Sequence, residues 1–357
     1  MQLNKKSITL GAALLSGLVG ANAQSNVQVY GVVDLGVEHI NNVAVAGSEK
    51  SLNALSQGGL VASRWGIRGT EDLGDGLRAE FTLESGIAPD TGQLLQSGRL
   101  FGRGATVGVS NQWASLVLGR QNSALFDLAP RYDPLLYATY SLQGIDPAGF
   151  VSRVDNAAKV LFKTGPVSGS AFYSLGRDSL AGTPAGSQSE VPGAPKVGRN
   201  LGGNLNYVAG PLSAGLAYDQ QHGGTIATSS STDRRLMLGL RYQTGNTTWI
   251  AGYLRRKNEL LVVEQKNNLY WIGAMQQFSP DLRLNVALYH LRTEDTPDRS
   301  SRIAASLVKD LSRRTSVYVN VGYLDNKGGS TLGLVSSAPT LAGANQSGLV
   351  VGVTHRF

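Results

Sequence analysis

From residue 26 onward the chain alternates between apolar and polar positions with a period of two. In the stretch 27–38, Val27, Val29, Val33, Leu35 and Val37 fall on one side of an extended strand, and Gln28, Tyr30, Asp34 and Glu38 on the other. The pattern recurs near Arg235, where Leu236, Leu238, Leu240 and Tyr242 oppose Arg235, Met237 and Arg241. Leu282, Leu284, Val286 and Leu288 likewise oppose Arg283, Asn285 and Tyr289, and Val317, Val319, Val321 and Tyr323 oppose Ser316, Tyr318 and Asn320. It closes on Leu349–Phe357 (LVVGVTHRF), with Phe357 as a terminal aromatic of the kind found at a lipid interface. Charged residues recurring on one face would ruin the dry core of a sandwich. They suit a water-filled interior whose outer, apolar face meets lipid. Two segments, Trp249–Leu254 and Leu269–Met275, are apolar on both faces and are expected to lie against neighbouring subunits.

The punctuation between strands is of two kinds. Short turns fall at Glu71–Gly76, Asn111–Ala114, Gly165-Pro166, Gly210-Pro211, Thr244–Asn246, Ser279–Asp281 and Leu311–Arg313. Long connections cover Ile40–Gly59, Ser85–Gly102, Gln121–Ser152, Gly176–Arg199, Gln220–Asp233, Arg256–Gln265, Glu294–Ser300 and Asn326–Asn345. Alternation of short and long predicts an all-β fold, a transmembrane antiparallel up-and-down β-barrel of about sixteen strands with one rim trimmed and the other elaborated. TGPVSGSAFY (164–173) echoes AGPLSAGLAY (209–218), which reads as a repeated Gly-Pro hairpin turn. The connection Gln121–Ser152 is too long and too rich in aromatic and apolar residues (Phe126, Leu135, Tyr137, Tyr140, Phe150) for a disordered linker. It needs a surface to pack on, and the inside of a wide barrel offers one.

Residues 1–23 read as a secretory signal peptide: Lys5 and Lys6, an apolar stretch from Ile8 to Gly20, then the small-x-small site Ala21-Asn22-Ala23. That leaves 24–357 as one barrel domain. Removing Lys5 and Lys6 from 32 basic residues leaves 30 against 25 acidic, a surplus that export argues against assigning to nucleic acid. The absence of cysteine removes thiolate metal sites, thiol catalysis and disulfides. A mean hydropathy of −0.09 suits a barrel of alternating faces.

Five segments in order resemble the general diffusion porins of Gram-negative outer membranes, in their beta-proteobacterial branch. They are VQVYGVVDLGVE (27–38), SRWGIRGTEDLGDGLRAEFTLESG (63–86), VLGRQ (117–121), DLSRRTSVYVNVGY (310–323) and VGVTHRF (351–357). The resemblance covers essentially the whole chain after residue 23. It implies a homotrimer of 16-stranded barrels in the outer membrane, each with its third extracellular loop folded inward as a constriction, passing small hydrophilic solutes and ions. Matched by motif, Arg64 and Arg68 (SRWGIRG), Arg103 (GRGATVGV), Arg120 (LGRQ) and Arg153 would form the basic wall. Asp127, Asp133 and Asp146 on Gln121–Ser152 would be the loop acids facing it, although this loop lacks the Pro-Glu-Phe-Gly-Gly run of enteric relatives. Ser85–Gly102 would be the latch between subunits, and Phe357 would end the signal read by the barrel-assembly machinery. No cofactor is implied.

Arg64 and Arg68 are spaced to share a face opposite Trp65 and Ile67, and arginine keeps its charge when crowded by other arginines. With the basic surplus, this predicts a mild preference for anions. Catalysis is not expected. His39, His222, His290 and His355 lack metal spacing, and the last two continue apolar outward rows. The acids of TEDLGDG (70–76) read as a rim turn rather than a calcium loop. The alternative to a diffusion channel is a barrel serving mainly as a surface receptor or adhesin, or a substrate-specific channel. The Ser-, Gly-, Pro- and Ala-rich stretches 179–195 and 330–344 favour diffusion, being suited to solvated surface rather than a tight pocket.

Overall fold

A computed structural model describes residues 26–150, 152–176 and 190–357; the signal-peptide reading of 1–23 and much of the stretch 179–195 lie outside them. Sixteen staves close into an antiparallel barrel. They are β1 (Asn26–Val45), β2 (Ser48–Gln57 and Arg64–Gly74), β3 (Leu77–Ala88), β4 (Gly104–Ser110), β5 (Ala114–Asn122), β6 (Arg153–Thr164), β7 (Val167–Ser174) and β8 (Asn200–Ala209). The second half continues with β9 (Leu212–His222), β10 (Thr232–Thr244), β11 (Thr247–Asn258), β12 (Gln265–Ser279), β13 (Leu282–Thr293), β14 (Arg299–Asp310), β15 (Thr315–Lys327) and β16 (Asn345–Arg356). Each pairs with its sequence neighbours, and β1 pairs with β16 from Val32↔Arg356 to Ile40↔Gly348, which closes the sheet.

The faces follow the predicted parity. Val29, Leu238 and Val319 are 62%, 47% and 37% exposed, whereas Asp34, Glu38, Arg235 and Asn320 on the other face are buried. Apolar side chains point out toward lipid and polar ones point in, the inverse of a soluble domain. His355 stands on the outer face and is exposed, bonded to Thr315.

The short turns fall where expected, and two of them, Gly165-Pro166 and Gly210-Pro211, explain the internal echo. Gly165, Gly210 and Gly245 each open a two-residue hairpin with φ of 52°, 54° and 55°. A side chain would strain that conformation, which right-handed strand twist favours at such turns. The first long connection is a correction. Ile40–Gly59 is not a loop but the upper part of β1, a turn at Ala46 and Gly47 (φ 49° and 79°), and the first half of β2. Ile40 and Val43 are buried against Ala338, and Ser48–Gln57 is largely polar or exposed, so the two-fold alternation that marks lipid-facing strand is missing there. Residues 58–63 interrupt β2, because β1 pairs first with Ser48–Gln57 and then with Arg64–Thr70.

The two segments with apolar residues on both faces also resolve differently from expectation. Trp249, Tyr270 and Ile272 point outward, but Ile250, Leu254, Leu269 and Trp271 are buried on the inner face. There they pack against Leu125, Leu128, Tyr132, Leu135, Leu142, Ile145 and Phe150 of the long connection after β5. That internal packing accounts for the second apolar face.

Candidate functional site

The connection 123–150 begins with a short helix, α1 (Ala124–Leu128), whose Ser123 side chain accepts from the Phe126 N–H at its N-terminus. Irregular backbone cannot satisfy its own polar groups, so it borrows partners from the inner face of the barrel. Asn204 on β8 donates to the Ala124 carbonyl at 2.6 Å, and Tyr132 donates to Asn206 on the same stave at 2.6 Å. The Trp271 indole on β12 donates to the Tyr132 carbonyl at 2.6 Å. Tyr289 on β13 donates to Asp133 at 2.6 Å, and Tyr140 donates to Glu38 on β1 at 2.9 Å. Arg302 on β14, 1% exposed, donates to the carbonyls of Ser141, Gly144 and Gly333 at 3.1, 3.2 and 2.9 Å. It ties this connection to the last long loop.

The basic residues singled out by motif gather on staves β2 to β6. Arg64 and Arg103 both reach Glu84 on β3, at 3.5 and 2.7 Å, and Tyr30 donates to the same carboxylate at 2.9 Å. Arg120 and Arg99 both pair with Asp155 on β6. Arg153 donates to the Arg103 carbonyl at 2.7 Å and lies over the Phe126 ring at 5.1 Å. Arg68 stands apart from these, donating to Gln28 at 2.8 Å and covering the Tyr30 ring at 5.0 Å. With Lys159 added, six cations (Arg64, Arg99, Arg103, Arg120, Arg153, Lys159) gather around three acids, Glu84, Asp127 and Asp155, while Arg68 has Glu80 of the same inward row beside it.

The three loop acids do different things. Asp127 is partly exposed and pairs with Lys159 at 2.7 Å, on the same side as the arginines. Asp133 is fully buried and accepts from the N–H groups of Leu135 and Tyr137 as well as from Tyr289. Burial pushes its carboxyl up, against the opposing pull of those bonds. Asp146, also buried and also pushed up by desolvation, caps the turn Pro147–Gly149 through the Gly149 N–H. Asp133 and Asp146 therefore organise the backbone of the connection.

Motif matching missed Glu84, Asp155, Arg99 and Lys159. Asp155 and Lys159 carry a signal in the sequence, since they share the inward parity of β6 with Ala157. It also missed a second cluster on the opposite wall, where Asp233 pairs with Arg235 at 2.6 Å and Arg256 at 2.8 Å, and Arg235 donates to the Ala148 carbonyl.

Comparison with known proteins follows this geometry. A family profile for Gram-negative porins matches residues 9–329. Outer membrane porin protein 32 of Delftia acidovorans is 34% identical over 369 residues, covering 99% of this chain and 100% of the relative. The solved structure of an anion-selective porin from Comamonas acidovorans superposes with a TM-score of 0.78 at 28% identity, covering 94% of this chain and 100% of that one. The trimer form of OmpT from Vibrio cholerae shares the fold at 13% identity, with a TM-score of 0.67 over 93% of this chain and 99% of that one.

Proposed function

The chain belongs to the Gram-negative porin family, and from that premise we propose how its barrel selects among solutes. It is an outer-membrane porin, a barrel for passive diffusion, from a family of channels rather than enzymes. In this reading residues 1–23 are the export signal and the mature barrel works as a homotrimer, as the trimeric OmpT neighbour does. The connection 123–150 narrows the lumen. Its many bonds to β1, β8, β10, β12, β13 and β14 support an inward position.

The wall of β2–β6 then gives the narrowed slot its charge, and one observation carries the reading: six cations, Arg64, Arg99, Arg103, Arg120, Arg153 and Lys159, gather around three acids, Glu84, Asp127 and Asp155, an excess of three positive charges in that cluster. A solute that keeps water and fits can pass; anions are drawn to this wall and cations repelled. The Comamonas neighbour is an anion-selective porin, which agrees in sign. Among the named arginines, Arg64, Arg103, Arg120 and Arg153 form the selective wall, Arg68 extends it along β2, and Asp127 tempers it.

Two unit charges about 4 Å apart in water interact by about 1 kcal/mol. Each Arg→Ala change at Arg64 or Arg103 should therefore lower the anion-to-cation permeability ratio by up to roughly fivefold and raise conductance. The reversal potential of the channel in a salt gradient across a planar bilayer measures the ratio. A wild-type preference for cations, or an unmoved potential in both variants, would remove these arginines from the selective wall.

A further inference from the structure

Beside the Asp233–Arg235–Arg256 cluster lies a cavity that the charged wall of β2–β6 does not use. It sits half-open at the long-loop rim, about 320 Å³ in volume, between the connection 123–150 and the last long loop. The inner face of β11–β14 stands behind it. That volume is at the small end of the range for small-molecule sites and suits a single ring rather than a chain.

Strand register builds the back of this cavity. Arg256 on β11 faces Asn267 on β12, which faces Thr293 on β13. The three form one rung of guanidinium, amide and hydroxyl, with neighbours about 5 Å apart at the backbone. The next inward position on β13 is Leu291, and Ile145 comes from the connection; both are buried and give the lining an apolar patch.

Two acceptors in the lining have nothing to accept from. Asn267 is 8% exposed, its side chain makes no hydrogen bond among the described residues, and its Oδ1 is buried. Asp146 is 5% exposed; it gives Oδ1 to the Gly149 N–H at 2.9 Å and leaves Oδ2 buried without a partner. Arg256 spends Nε and Nη2 on Asp233 at 3.0 and 2.8 Å, and its Nη1 makes no bond among the described residues. Buried acceptors left unpaired are costly, and a native structure that keeps them at a cavity has a partner for them. The charged residues of the lining are Asp146 and Asp298 against Arg256 and Arg299, so the cavity has no net charge and favours a neutral solute. Unpaired acceptors beside a spare donor and an apolar patch call for polar groups that both donate and accept, such as adjacent hydroxyls on a carbon ring.

We propose that this cavity binds a monosaccharide at the mouth of the channel. Sugar hydroxyls donate to Asp146 Oδ2 and Asn267 Oδ1, another accepts from Arg256 Nη1, and the carbon face of the ring rests on Ile145 and Leu291. The wall of β2–β6 offers a neutral sugar no net attraction. A site on the other side of the lumen concentrates at the entrance a class of solute that selection by charge neglects.

The test uses the full-length mature protein in a polyoxyethylene detergent, whose head group carries no sugar. Saturation-transfer NMR titrations read the binding of glucose, galactose, mannose and arabinose, with glycine as a zwitterion and acetate as an anion. Wild type should bind at least one of the sugars saturably in the millimolar range, and more tightly than glycine or acetate. Asn267→Val removes both polar atoms of the amide and should weaken that sugar about tenfold, the loss of two ordinary hydrogen bonds. On heating it should unfold no earlier than wild type, because a buried unpaired acceptor has gone. Thr293→Val removes one hydroxyl of the rung, should weaken the sugar about threefold, and decides the matter if Asn267→Val does not assemble. Absence of saturable binding by all four sugars overturns the proposal, as does tighter binding of glycine or acetate. So does undiminished binding by Asn267→Val, or by Thr293→Val where it stands in.

Discussion

Asp34 occupies a position that would be intolerable for a carboxylate in a dry core, and on this inner face it is fully satisfied. Its oxygens accept from the N–H groups of Gly59, Leu60 and Val61 and from the Tyr318 hydroxyl at 2.8, 3.1, 3.2 and 2.7 Å. It thereby holds the break in β2 against β15, a role that alternation alone could not reveal. The sequence did place Asp34, Arg64 and Arg68 on the right face, because a period of two fixes which side a residue takes. It could not give height along the barrel or the partner across it, so Glu84 and Asp155, which organise four of the arginines, were missed. At the long-loop rim a single carboxylate makes a pH prediction. Glu259 follows β11 and accepts from Lys257 and Thr232, and chiefly the Lys257 bond lowers its pKa from 4.5 to about 2. A depressed carboxyl contributes stability above its unfolded pKa and loses it as pH falls through the folded one. The ties of loop 259–264 should therefore persist at pH 4 and fail only near pH 2. An NMR titration of the Glu259 side chain in the folded barrel would show it, and a midpoint at the ordinary 4.5 would contradict it.

For whole elements, the strands and turns could be read with few errors, and the connection 123–150 could be read only as something that must pack. The clue to where it packs was present in Trp249–Leu254 and Leu269–Met275, whose second apolar face is its docking surface. Two glycines complete that surface. A Cβ at Gly239 on β10 or Gly215 on β9 would overlap the Tyr132 ring. Tyr132 is held on its other sides by Asn206 and by the Trp271 bond to its carbonyl, so it has little room to retreat. Gly239→Ala should thus push Tyr132 off the wall and destabilise the barrel by about 1–3 kcal/mol, the usual range for overpacking. Denaturant unfolding in detergent measures the loss. Single-channel recording should show larger or noisier conductance, since the connection is less firmly seated. Unchanged stability and conductance together would mean that Tyr132 is not what fixes it.

The molecule as a whole depends on one seam between segments more than 300 residues apart in sequence, where Val32 to Ile40 meet Arg356 to Gly348. Phe357 finishes that seam in two ways. Its N–H and carbonyl exchange bonds of 3.0 Å with Gly31, and its ring covers the Gly31 Cα, where a side chain would collide with it. In lipid an unpaired backbone group costs several kcal/mol, so the two contributions can be separated. Phe357→Ala keeps both backbone bonds and loses the cover of a half-exposed ring, about 1–2 kcal/mol of apolar burial. Deleting Phe357 also leaves the Gly31 N–H and C=O unpaired at the lipid-facing edge and should lower stability by clearly more. The temperature at which the purified barrel unfolds, read from its shift in electrophoretic mobility, ranks wild type above Phe357→Ala above the deletion. We also infer that Phe357 ends a signal for the barrel-assembly machinery, and the same variants test that separately. A signal would cut the yield of assembled barrel in cells more steeply than stability falls after refolding in vitro. If yield merely tracks stability, Phe357 acts through the seam alone.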